Sequence, residues 1–239
     1  MIILALDSTA TVSSVAVCKD AELLCEYTLN NGNTHSETLL PMIENALASL
    51  KMDVDDVDVF ACSEGPGSFT GVRIGAATIK GLAFAKGKKC VGVSTLEALA
   101  ENLRGVSGIV CPVMNARRSQ LYNALFRADD EALTRICPDR AVSVDELCAE
   151  LSEKYPDETV YFCGDGYSIA VDGIKSESIA YTPKLLRDQS AYSVALVALD
   201  MIKNEPDKDF SDSDLRATYL RPSQAERERL ERETKTERT

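Results

Sequence analysis

Ser63-Glu-Gly-Pro-Gly-Ser-Phe-Thr-Gly-Val-Arg-Ile-Gly75 is the stretch on which the reading of this chain turns. The apolar run over 57–63 reads as a strand, and Gly65-Pro66-Gly67 breaks it. A helix then opens at Thr70 or Gly71 and runs to 85, where Gly87 ends it. Free backbone N–H groups at such a helix start attract anions. No Gly-Lys-Ser/Thr follows and the spacing is not G-x-G-x-x-G, so the run is neither a P-loop nor a dinucleotide fingerprint. A tight strand-to-helix connection with no ligand explains it equally well. Along the helix, Ala77, Gly81 and Ala85 recur at i, i+4 and i+8, a ridge of minimal side chains. A glycine in a helix interior costs ~1 kcal/mol against alanine. Either another helix approaches this ridge closely, or the ridge packs on its own sheet.

Working outward, residues 2–6 form a short apolar run that meets Asp7-Ser8-Thr9, a strand ending in a polar turn. Residues 12–18 and 22–29 read as two more strands, which makes a three-stranded antiparallel meander. Ser36 can cap a helix carrying Leu39, Leu40, Ile43, Leu47 and Leu50 at helical spacing. Pro41 costs least in a first turn, so that helix is expected to start nearer Leu39. Residues 90–93 are a strand, and Ser94 caps a helix over 96–103. Gly105 to Gly108 is a hinge-like break. Strands follow at 109–114, 121–126 and 133–136, then a helix at 144–155, a strand at 159–163 and a helix at 190–202. This alternation predicts an α/β fold with helices laid on the sheets. The expected units are 1–104, 105–221 with the 190–203 helix free to pack back on the first, and a charged tail over 222–239.

The composition limits what the chain can do. Its 239 residues are 45% apolar and 27% charged, globular proportions. Lys plus Arg is 26 and Asp plus Glu is 38, a net charge of −12. That balance argues against an independent nucleic-acid binder, although it leaves room for a local basic patch. The single histidine, His35, excludes a His-pair metal site and with it a metallopeptidase centre; in its polar loop it reads as an exposed side chain or a local cap. None of the eight cysteines forms a C-x-x-C, which points to buried free thiols in a reducing compartment. Asp7 breaks the first apolar run, no basic n-region precedes it, and no run approaches ~18 apolar residues, so we expect a soluble cytoplasmic protein. No G-x-S-x-G elbow accompanies His35. Two places can meet a phosphate. Asp7-Ser8-Thr9, with Ser13 and Ser14 across the turn, has a carboxylate and hydroxyls that can hold hydrated magnesium and a phosphate, or serve ordinary turn chemistry. Arg117-Arg118 opens a strand and is either a phosphate contact or a solvated edge.

The motifs taken together resemble a known family. Ile3-Leu-Ala-Leu-Asp-Ser-Thr9, His35-Ser-Glu-Thr-Leu-Leu-Pro41, Gly65-Pro-Gly-Ser-Phe-Thr-Gly-Val-Arg-Ile-Gly75, Lys80-Gly-Leu-Ala83, Val93-Ser-Thr-Leu-Glu-Ala-Leu99, Ala116-Arg-Arg118 and Tyr219-Leu-Arg221 are similar to bacterial TsaB, also called YeaZ. The resemblance implies two related domains of the actin/Hsp70/sugar-kinase-like kind, with mixed sheets flanked by helices. It implies a part in making threonylcarbamoyladenosine in tRNA, as a non-catalytic subunit supporting the transferase TsaD. Thr95 and Leu99 stand where TsaD carries a metal-binding His-x-x-x-His, and neither can replace an imidazole. No catalytic residue, no metal ligand and no cofactor of its own are implied, with ATP or ADP binding left to the complex. The implied partners are TsaD as a heterodimer, the ATPase TsaE, tRNA indirectly through the complex, and a second copy of this chain when it is alone. The implied interface is Leu39, Ile43, Arg73, Ala77, Lys80, Gly81 and Phe84, with Asp7, Ser8 and Thr9 as a remnant nucleotide or phosphate cradle. Asn115 departs from the aspartate that the family's Asp-Ala-Arg-Arg run carries. The alternative is an independent ATP-dependent phosphotransferase of the sugar-kinase-like superfamily, which needs a second phosphate loop and an adenosine loop.

Overall fold

The computed structural model describes residues 1–130, 132–174 and 176–221. Strands β1 (Ile2–Asp7), β2 (Ser13–Lys19) and β3 (Glu22–Leu29) form the antiparallel meander. Helix α1 (His35–Leu50) leads through a 3-10 turn (Val54–Asp56) into β4 (Val59–Gly65), parallel to β1. Helix α2 (Phe69–Lys86) leads into β5 (Lys89–Ser94), parallel to β4. The first sheet has the order β3-β2-β1-β4-β5. After α3 (Thr95–Glu101), the second half repeats the plan. It runs β6 (Gly108–Asn115), β7 (Gln120–Asp129), β8 (Ala132–Ser143), α4 (Val144–Lys154), β9 (Val160–Cys163), α5 (Tyr167–Gly173) and β10 (Ile179–Ala180). Its order, β10-β9-β6-β7-β8, is the first sheet over again when read from the meander edge. The duplication lies in the topology and leaves no visible repeat in the residues. These are the two related mixed sheets flanked by helices that the resemblance implies.

Side-chain alternation along the strands decides which helix covers which face. Leu4, Leu6, Val15, Val17, Phe60 and Cys62 point toward α1 and α2, where Leu39, Ile43, Ile79 and Ala83 meet them. Ile3, Ala5, Ala16, Val59 and Val91 point the other way, onto Ala191, Val194 and Ala198 of α6 (Ala191–Asn204). The chain therefore returns to the first sheet after finishing the second. Glu26 on β3 fixes that return: its Oε1 accepts from Ser14 Oγ at 2.9 Å, Ser190 Oγ at 2.8 Å and the Tyr192 N–H at 3.2 Å. A carboxylate at a helix N-terminus also complements the helix dipole.

Several elements differ from the sequence expectation. Helix α1 begins at His35 with Thr34 as its N-cap residue, not at Ser36 or near Leu39. Pro41 sits inside it; its ring lies on the exposed side, clear of the face that Leu39, Met42 and Ile43 bury. Helix α2 begins at Phe69, where Ser68 Oγ accepts from the Gly71 N–H at 3.3 Å. Strand β8 is 12 residues long. It is an edge strand paired only to β7 among the described residues, which is why it tolerates Pro138. The tail over 222–239 lies outside the described residues. Among the described residues no helix is long and apolar enough to cross a membrane.

Candidate functional site

The Asp7-Ser8-Thr9 turn is where a phosphate would have to sit, and its groups are already spent. Asp7 is buried at the end of β1. Its Oδ1 accepts from the Thr9 N–H and Thr9 Oγ1, both at 2.8 Å, and its Oδ2 accepts from Ser63 Oγ at 2.5 Å. Ser8 Oγ donates to the Gly71 carbonyl at 2.9 Å. Burial pushes the Asp7 carboxyl above its ordinary 3.8, against the pull of the Ser63 and Thr9 hydrogen bonds and the nearby His35. The strand-to-helix run then folds down onto the turn. The Ser68 N–H donates to the Thr9 carbonyl at 2.7 Å. A Cβ on Gly67 would stand 2.5 Å from that same oxygen, and one on Gly71 would overlap the Ser8 carbonyl oxygen. Gly71 and Gly75 are thus the glycines that let α2 lie against β1. Asp7, Ser8 and Thr9 come together as the sequence suggests, but as a closed, self-satisfied turn rather than an open cradle. His35 is a local clasp: its Nε2 lies 2.8 Å from the Ala10 carbonyl, so in the neutral ring Nε2 carries the proton and Nδ1 stays buried without a partner.

The expected interface residues separate into three groups. Leu39 and Ile43, which the resemblance places at the interface, are buried in the first core, so they are not surface groups; their helical spacing marks the packed side of α1. Arg73 and Lys80 lie at the surface of α2 but are held by the chain after α6. Arg73 Nε donates to Tyr219 Oη at 2.8 Å, beside a parallel Phe69–Tyr219 stack with centroids 4.2 Å apart. Lys80 Nζ donates to the Leu215 carbonyl at 3.1 Å. Ala77, Gly81 and Phe84 are open to solvent. Nothing lies within 4 Å of the place a Gly81 Cβ would take, which removes the alternative that the ridge packs on its own sheet. Phe84 is 77% exposed, and Leu40 on the neighbouring α1 is 51% exposed. Helix α2 therefore exposes a ridge of minimal side chains with Phe84 beside it, and α1 exposes Leu40. In the sequence Leu40 is hidden among helical-spacing residues that otherwise point inward.

The other positions singled out serve structure. Leu99 is buried in a core with Leu96, Val110, Met114 and Phe126. Thr95 is fully buried, and its hydroxyl has no partner. The pair does not fit a metal ion, and no group of three metal-ligating side chains occurs among the described residues. Asn115 accepts from the Arg117 N–H through Oδ1 at 2.8 Å and donates its own N–H to Asp165 Oδ1 at 2.9 Å. Arg117 and Arg118 occupy the β6–β7 turn, both exposed.

Comparison with known proteins adds the family. The model for TsaD, tRNA N6-adenosine threonylcarbamoyltransferase, matches residues 22–236. The TsaB tRNA threonylcarbamoyladenosine biosynthesis protein of Bacillus subtilis is 32% identical over 169 residues, 71% of this chain and 73% of that one. The TsaB protein of Escherichia coli is 31% identical over 162 residues, 67% of this chain and 70% of that one. The solved structure of YeaZ from Pseudomonas aeruginosa superposes with a TM-score of 0.74 over 92% of this chain and 99% of that one, at 22% identity, a likeness of fold.

Proposed function

Because this chain belongs to the TsaB (YeaZ) family, within the group that the threonylcarbamoyltransferase model describes, we propose that it is a non-catalytic subunit of the machinery that makes threonylcarbamoyladenosine in tRNA. Its work is to bind and support the transferase TsaD. The observation that carries this reading is the open face of α2: Ala77 and Gly81 put minimal side chains at its surface beside the exposed Phe84, and the neighbouring α1 exposes Leu40. Helices of a partner can settle against such a ridge at short axial distance, burying the exposed Phe84. With no partner present, the same face pairs with a second copy of this chain. The interface is smaller than the sequence suggests, since Leu39 and Ile43 belong to the core.

The pseudoenzyme part of the reading rests on what fills the candidate sites. Leu99 is core, and both oxygens of Asp7 are taken by Thr9 of its own turn and Ser63 of β4. The phosphotransferase alternative needs an open cradle there and finds Gly67 and Gly71 pressed onto it. This chain accordingly has no cofactor of its own; ATP or ADP binding belongs to the complex, with TsaE as its ATPase, in the cytoplasm. With a net charge of −12, most of the tRNA contact falls to the partners. The test is size-exclusion chromatography of the chain with TsaD from the same organism. Wild type should elute as a heterodimer, and Ala77→Glu or Gly81→Leu should elute as two folded monomers. An unchanged complex with both variants would move the interface off this ridge.

A further inference from the structure

We infer that the end of the second sheet bearing the Arg117-Arg118 turn and the Tyr181–Arg187 loop is a direct contact surface for the phosphate backbone of RNA. The turn is the first observation. The Gln120 N–H donates to the Arg117 carbonyl at 3.2 Å, with Arg118 at φ 54° and Ser119 at φ 56° between them, and Arg117 itself is at φ 63°. Left-handed turns of this kind ordinarily take glycine, asparagine or aspartate. This one holds two arginines in that conformation, and the surrounding structure fixes it from several sides. Asn115 Oδ1 accepts from the Arg117 N–H, and Arg221 Nη1 donates to the Ala116 carbonyl at 2.8 Å. A strained backbone held this firmly, with both arginine residues exposed, is what a binding element looks like.

The loop is the second observation, and it sits at the same end of the sheet. The Asn115 N–H is bonded to Asp165, and the next N–H back along the chain, that of Gly164, donates to the Arg187 carbonyl at 2.7 Å. The Arg187 guanidinium lies 3.5 Å over the Tyr167 ring and 5.1 Å from the Tyr181 ring, and its Nε donates to the Thr182 carbonyl at 2.7 Å. Tyr181 is 73% exposed, and Lys184 beside it is exposed as well. Two carboxylates stand nearby, Asp165 and Asp188. One oxygen of Asp165 is taken by the Asn115 amide, and burial pushes its carboxyl above its ordinary 3.8.

Cations interleaved with an exposed ring match phosphates and unstacked bases, with the ring as a stacking platform. On a chain of net charge −12 the remaining surface repels a polyanion, so this edge orients the molecule toward it. That the RNA is a tRNA rests on the proposed function; the contact itself stands on the turn and the loop.

The test is fluorescence anisotropy of a labelled tRNA with the full chain, at about 50 and about 200 mM salt. Arg117→Glu with Arg118→Glu should weaken binding at least about tenfold and flatten the salt dependence by roughly two counterions. Lys19→Glu with Lys203→Glu, the same charge change elsewhere, should cost much less. Should the turn variant misfold by circular dichroism, Tyr181→Ala with Lys184→Glu probes the other loop and should weaken binding several-fold. Absence of tRNA binding by the wild-type chain overturns the inference. So does equal loss in the control, or competition by polyglutamate as effective as that by tRNA, which would mean an acidic protein partner. The subunit role separates cleanly in the reconstituted reaction. If the reaction needs this chain but its KM for tRNA ignores Arg117→Glu with Arg118→Glu, the contact is wrong and the role stands. If the reaction does not need the chain but the turn variant still loses tRNA, the role is wrong and the contact stands.

Discussion

Helix α2 contains three glycines, and replacing each with alanine should give opposite signs within one helix. At Gly81 nothing lies within 4 Å of the new methyl group. Within the monomer the effect is on backbone freedom alone, and alanine is favoured by about 1 kcal/mol. For a chain of this size that raises Tm by about 2–4 °C. At Gly75 the methyl would sit 2.5 Å from Ser8 Oγ and 3.0 Å from Leu6 Cδ1. Ser8 would have to turn away from the Gly71 carbonyl it now bonds at 2.9 Å, leaving a buried acceptor unpaired. That loss costs about 1–3 kcal/mol, and the crowding of Leu6 a further ~1 kcal/mol, against a helix gain of about 1 kcal/mol. Gly75→Ala should therefore lower Tm by several degrees. At Gly71 the methyl would overlap a backbone oxygen that no rotamer can move, so Gly71→Ala should destabilise most. Thermal unfolding of the three variants at one protein concentration reads all three signs. A stabilised Gly75→Ala, or a destabilised Gly81→Ala, would refute the claim that the first two glycines pack on β1 and the third faces outward.

Glu26→Ala removes the acceptor shared by Ser14, Ser190 and Tyr192, and should cost about 2 kcal/mol, lowering Tm by about 4–8 °C. Asp7, Glu64, Glu101 and Asp165 all have carboxyls raised by burial above their ordinary 3.8 or 4.5. Between those values and their raised folded ones, the native chain holds more protons than the unfolded one. Stability therefore falls as pH rises through that window, and Tm should climb as pH is lowered into it from neutral; a flat or falling profile counts against these assignments. Burial leaves Cys62, Cys111 and Cys163 with strongly raised pKa values, Cys18 near 12 and Cys90 near 11. An aromatic disulfide reagent should label the native protein only at the partly exposed Cys25, Cys137 and Cys148, with the other five reacting after unfolding.

Much of the first half was legible because its signals are local. Alternation in residues 2–29 and the Gly-Pro-Gly break at 65–67 specify strands and a strand-to-helix turn whatever the rest of the chain does. The ridge at Ala77, Gly81 and Ala85 was legible as a periodicity, but which way it faced was not. That depends on Gly71 and Gly75, four residues apart on the same helix, which take the packed side against Ser8. The resemblance puts Leu39 and Ile43 at an interface and the structure puts them in the core; their spacing identifies an apolar face and cannot tell the two apart. The closed state of the Asp7 turn was hidden because its partners, Ser63 and Gly71, are 56 residues from Asp7 and 63 from Ser8, the residues they bond. The strap over residues 210–221, which carries Leu215 and Tyr219 onto α2, has no periodicity to read. The pairing of the two halves appears only in strand order.

The most direct test of the central claim is a threonylcarbamoylation assay with tRNA, threonine, bicarbonate and ATP, using the pathway proteins of the same organism with and without this chain. The account predicts product only when the chain is present beside TsaD and TsaE, none from the chain alone, and loss of the stimulation with Ala77→Glu. Full activity in its absence, or modification by the purified chain by itself, would contradict it.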